Sequence, residues 1–353
     1  MNPRSHPSAT PRFPLQRLAL AAALAGGALL TACGGGGGDN GSGSSVTPLS
    51  QADATADAAN SSATGSDTAA AMDTVIDTGS ALALAMSQAS GTSAGGRMAA
   101  ESAKPETSPA PPVSSATVDC AGGGTATVSI SGSSAALELN GQLDAGERYT
   151  IAYAQCSGGA GWAQLSGSVV MDVTAADHAT SPSSFSVNLA ATNLALSLPA
   201  GTATLDGTAT VTRSVSTSNG STTTSSHVTV PSATLATAFN SRTGSFTLAD
   251  LDATRTLTSV AGVVTASQYD GHHTLSGTAW GRTFSMTVST NGNVSYDATG
   301  ALVAGAWTVI RPKATIATTV ANGLVVMTVD DGNDGTIDHT WTFPAAQLGG
   351  SAG

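Results

Sequence analysis

Few residue groups in this chain converge on chemistry, and the densest is Asp270-Gly271-His272-His273. On a strand His272 and His273 point to opposite sides and cannot share one metal, whereas Asp270 and His272 share a face. Acyl-transfer chemistry would need a nucleophile beside that pair, and no spacing supplies one. The cluster reads as surface histidines beside a turn at Asp270-Gly271. His339 runs in phase with Ile337, Trp341 and Phe343 and reads as a hydrogen-bonded histidine on a packed face. The stretch 330–338 looks like the start of a calcium loop, with Asp330 and Asp334 at the first and fifth positions when Gly335 is taken as the sixth. Gly332 then falls third and Trp341 twelfth, where a bidentate glutamate belongs, so it is no EF-hand. A Gly- and Asp-rich hairpin loop is the plainer reading, with Asp330, Asp334 and Asp338 as the only candidates for a structural calcium. Gly91-Thr92-Ser93-Ala94-Gly95 matches a hydrolase elbow but has no strand before it and no helix after it. No catalytic residues are expected, and a hydrolase is the least favoured function.

Short strands must position these groups. Ala126, Val128 and Ile130 alternate with Thr125, Thr127 and Ser129, and Leu165 to Val173 repeats the theme. Phe185, Val187 and Leu189 shift register to Leu194, Leu196 and Leu198, which implies a bulge or tight turn. Leu165-Ser166-Gly167, Leu205-Asp206-Gly207 and Leu275-Ser276-Gly277 share a mid-strand glycine, the mark of a bend or a close backbone approach. A dozen or more turn-punctuated strands predict an all-β domain over 114–344, an antiparallel meander forming a barrel or strongly curved sandwich. Aromatic residues at 4% are too few for the girdles of a transmembrane barrel. Ahead of the domain, residues 34–66 have almost nothing to bury and read as a flexible leash. Residues 67–89 read as a short helix or more linker, residues 102–113 as a proline-stiffened spacer, and residues 345–353 as a flexible tail.

Residues 1–32 carry Arg4, Arg12 and Arg17 and no acid, then an apolar run over 18–30 too short to cross a bilayer, the layout of an export signal. Leu30-Thr31-Ala32-Cys33 resembles the lipobox of bacterial lipoproteins. That resemblance implies cleavage before Cys33, a diacylated thiol and an acylated amino terminus, an anchor that two or more acyl chains make stable. Gly34, in place of an aspartate, implies the outer membrane. The Cys120-Ala121-Gly122-Gly123-Gly124 start, the Leu-x-Gly strands and the Asp-Gly hairpin near the end resemble uncharacterised proteobacterial β-rich lipoproteins, which imply no activity.

Removing the three signal arginines takes the formal charge from −11 to −14, which excludes nucleic acid as a partner. With Cys33 lipidated, Cys120 and Cys156 are an even pair in an exported protein and are expected to form a disulfide. The expected function is that of a non-enzymatic envelope lipoprotein, without cofactors, whose membrane contact is its lipid. Its β-domain would bind or scaffold a glycan, an envelope protein or another surface ligand. The alternative is a periplasmic carrier holding an apolar ligand inside a barrel. A leash of about eighty residues would give a reach of roughly 50 Å.

Overall fold

The computed structural model describes residues 48–59, 63–70, 72–73, 113–120, 122–132, 143–157, 164–179, 183–198, 201–239, 242–279 and 282–348. Alternating small apolar and hydroxyl residues make β1 (Val113–Asp119), β2 (Thr125–Ser131), β3 (Arg148–Ser157), β4 (Gln164–Asp177) and β5 (Ser183–Leu198). The longest strands follow: β6 (Gly201–Ser218), β7 (Ser221–Phe239), β8 (Arg242–Val260) and β9 (Val263–Ala279). The chain continues through β10 (Arg282–Thr290), β11 (Val294–Asp297), β12 (Leu302–Arg311), β13 (Ala314–Ala321), β14 (Leu324–Asp331) and β15 (His339–Pro344). All fifteen belong to one antiparallel sheet in sequence order, except that β11 pairs with β9 and β12 beside β10. Among the described residues β1 and β15 do not pair, so the meander is open rather than closed into a barrel. Its buried side chains, from Val128 in β2 to Phe343 in β15, nonetheless form one cluster, which requires strong curvature.

The curvature has local causes. Register shifts fall between Tyr153 and Cys156 in β3, Ala191 and Leu194 in β5, and Ala249 and Asp252 in β8. Each contains a non-glycine residue with positive φ, namely Gln155, Asn193 and Asp250. An extra residue bends and twists its strand, and with the further shifts at Ser166/Ser168 and Thr208/Thr210 the irregularities recur from β3 to β9 and curve the sheet. The expected break at Leu189 to Leu194 is such a bulge, inside one continuous β5. Pro231 likewise interrupts nothing: β7 passes through it beside the register shift at Thr208/Thr210, the kind of position where a strand tolerates proline.

Gly167, Gly207 and Gly277 each lie where a Cβ would collide, with the Asn193 carbonyl, the Ala233 Cβ and the Ser245 carbonyl respectively. Gly277 pairs with Phe246 on one side and Phe284 on the other, and the two rings meet across it at 5.7 Å. Phe246 is buried, and the aromatic pair covers the strand that the glycine leaves bare. Gly277→Val should therefore cost about 2 kcal/mol, read as a lower urea midpoint at an unchanged slope. An unaltered midpoint would show that the close approach is not a constraint.

The sheet does not fold over an empty interior. Residues 51–59, 63–70 and 72–73 are helical and lie against the concave face, where Ala54, Ala58 and Ala69 join the core. This corrects the leash reading for the described part of 48–66. Alanine is the strongest helix former, and its small side chain fits a concave face that larger ones would overfill. Ser50 starts the helix by accepting the Asp53 amide through its hydroxyl at 3.2 Å, while that hydroxyl donates to the Asp53 carboxylate at 2.6 Å. Of the helix expected over 67–89, residues 67–70 and 72–73 are helical and 74–89 fall outside the described residues. At the other end, Ala345–Leu348 is a 3-10 turn with Leu348 buried, where a flexible tail was expected.

Candidate functional site

The longest strands place a polar row on the concave face. Arg213 of β6 is opposite Ser226 of β7, Ser226 opposite Arg255 of β8, and Arg255 opposite Tyr269 of β9. Alternation dictates which side these groups face: Val211, Val228, Ala253 and Leu275 share their strands' inward phase and are buried. A row containing two arginines there calls for acids, and the helical segment, which we call the strap, supplies Asp73 to Arg255.

The strap crosses the strands in reverse order. The Leu49 amide donates to both Asp331 oxygens of β14 at 3.2 Å. Arg311 of β12 donates to Asp57, and the Trp307 indole donates to the Ala58 carbonyl at 3.0 Å. Gly65 meets β9 at Tyr269 and His273, where any Cβ would strike the Tyr269 hydroxyl and press on the imidazole. Asp73 closes the crossing: its carboxylate accepts from Ser226 at 2.5 Å and from Arg255 at 2.8 Å. The Arg255 and Asp73 side chains are only 17% and 7% exposed, so the pair interacts with little solvent screening.

Burial dominates Asp57 and Asp67 of the strap. It raises Asp57 to about 6 against the opposing Arg311, with Asp53 adding to the rise, and raises Asp67 to about 6 against the pull of Arg255. Burial first, then the hydrogen bond and charge of Glu147, push the Tyr149 hydroxyl far up. Glu147 is raised as well, chiefly by burial, although it accepts from Tyr149 at 2.7 Å and from the Asp144 amide at 2.8 Å.

The residues singled out from the sequence do not converge. Asp270-Gly271-His272-His273 lies in the middle of β9 rather than at a turn. Asp270 and His272 face outward and His273 is buried beneath the strap, which corrects its reading as a surface histidine. Asp270 accepts from Thr290 of β10, which ties two strands together. His339 stacks on Trp341 at 5.3 Å and sits 3.3 Å from Asp331. In the 330–338 loop the carboxylates hold amides: Asp330 those of Asp334 and Gly335, Asp334 that of Thr336, and Asp338 that of Asp331. Among the described residues no three His, Cys, Asp or Glu side chains are placed to hold a metal ion. Cys120 and Cys156 are joined in a disulfide, Cα atoms 5.4 Å apart, and the Gly122 amide donates to the Ser157 carbonyl beside it. Cys33 and Ser93 lie outside the described residues. No protein family, curated protein or solved structure matches the chain.

The sequence pattern shows only the 67–73 end of the strap, as part of the helix expected over 67–89, and shows neither its 48–66 part nor the outward-facing His227–Asp252 pair at 2.8 Å on β7 and β8. The second has no sequence signal, since its partners are 25 positions apart. The first left one: Arg213 and Arg255 occupy the inward phase of apolar strands, and a buried cation needs an acid.

Proposed function

We propose that this chain is a lipid-anchored, non-enzymatic module of the bacterial cell envelope whose β-domain binds or scaffolds an envelope or surface ligand. The observation that carries this reading is the docking of Leu49 on Asp331, only fifteen residues of Gly-rich chain, 34–48, after the lipobox cysteine. Even fully extended, fifteen residues span at most roughly 50 Å, so an acylated Cys33 would keep the β14 edge of the domain within that distance of the membrane. Display near a membrane suits a binding or scaffolding role. A carrier with an apolar cavity is less well supported, because Trp307, Tyr149, Tyr269 and Phe246 are fully buried on the concave side and the strap packs there too. Metabolic labelling of a bacterial host with an alkynyl palmitate tests the anchor. Wild type should carry the label and sediment with membranes, and Cys33→Ala should lose both. A Cys33→Ala protein that still sediments with membranes and carries label would contradict it.

A further inference from the structure

The strap meets the sheet as a ligand meets a receptor. The hydrogen bonds described above join it to residues 153 to 282 positions away on β7, β8, β12 and β14. It is joined to β1, at the opposite edge of the sheet, only through residues 74–112. Its fully buried apolar residues are alanines, with Leu49 and Met72 partly buried against the core, so only modest hydrophobic area fixes it. Discrimination instead comes from the sheet: Asp331 takes a backbone amide, Trp307 a carbonyl, Arg311 and Arg255 one aspartate each, and Ser226 a second bond to Asp73. At Gly65 a Cβ would meet the buried Tyr269 hydroxyl, so a larger residue enters only if that ring moves. Bare of the strap, the face would present Arg255 and Arg311 inward without the carboxyl oxygens that accept their hydrogen bonds, an arrangement that favours an occupant with acceptors at both places.

We propose that the concave face is a peptide-binding site for a helical, alanine-rich segment bearing aspartates at the spacing of Asp57 and Asp73, and that residues 48–73 occupy it as an exchangeable ligand in cis. The tether keeps the effective concentration of the cis segment near the millimolar range, so a free peptide or the strap of a second copy competes only when that tether is cut or pulled. This inference does not depend on acylation. With Cys33 acylated as proposed above, the membrane foot would be attached to the ligand, and the sheet held through it.

The test uses the full mature chain with a protease site introduced at residues 100–104, cut after folding and left unseparated. A fluorescent peptide of residues 48–73 is then added. The expected result is saturable binding, with native mass spectrometry showing the body carrying the labelled peptide in place of its own segment. Peptides with Asp73→Asn or Gly65→Leu should bind at least tenfold more weakly. Three results would overturn the proposal: the sheet unfolds once the segment is cut free; the labelled peptide never enters a folded body that keeps its own segment; or the variant peptides bind as well as the natural one.

Discussion

Replacing Arg255 by methionine should cost about 3 to 5 kcal/mol, the penalty for leaving a buried charge without its partner. Asp73, 7% exposed, would keep Ser226 as a neutral donor and lose its guanidinium, and Asp67 would lose the cation that opposes its burial. The stem of methionine replaces most of the apolar volume of arginine, so packing loss is a small part of the effect. The expected result is a lower urea midpoint together with proteolytic cutting within 48–73 at protein concentrations where wild type resists. Arg255→Lys should recover part of the loss. A methionine variant as stable and as resistant as wild type would mean that the strap is held without this pair.

Acidification should tighten the strap. Asp57 and Asp67 are both raised from 3.8 to about 6 in the folded protein, chiefly by burial. A carboxyl with a raised folded pKa contributes stability that is full below its unfolded pKa and lost as pH rises through the folded value. Docking is therefore strongest near pH 4 and weakens between pH 4 and about 6. The groups facing Asp57 are Arg311 of β12 and Asp53 of its own helix, and Arg255 of β8 faces Asp67. At 1.36 kcal/mol per pH unit the loss is roughly 3 kcal/mol for Asp57 and less for the partly exposed Asp67. Glu147, also raised, acts in the same sense outside the strap, so whole-protein melting overstates the effect. Protease resistance of residues 48–73 followed from pH 4 to pH 7 isolates it, and Asp57→Asn should flatten the profile. Resistance that rises with pH would reverse the account.

Period-two alternation and turn chemistry made the meander legible, because one face of each strand is packed and the other bears Ser and Thr. The Leu-x-Gly strands announced bends, and Gly167, Gly207 and Gly277 do sit at close backbone approaches. The disulfide followed from an even pair of cysteines. Register shifts such as that at Asp250 leave no compositional mark, so bulge positions beyond the one in β5 were not readable. The strap is hard to read because Leu49 and Met72 are its only large apolar residues, and the small residues between them look as if they had nothing to bury. In a concave face lined by Trp307 and Tyr269 the small residue is the one that fits, and acids two turns or more apart meet cations contributed by distant strands. Ser50 with Asp53, ahead of an alanine run, was the local clue to a helix start. A turn at Asp270-Gly271 would leave His273 at the surface, but the chain runs straight through β9 there and alternation turns His273 inward.

Hydrogen exchange on the full mature chain tests the docked strap most directly. Amides over 51–59 and 63–70 should exchange far more slowly than in a free peptide of residues 48–73, with protection approaching that of the inner residues of β8 and β9. Exchange of those amides at the free-peptide rate, while β8 and β9 stay protected, would contradict the claim that the strap is part of the folded domain.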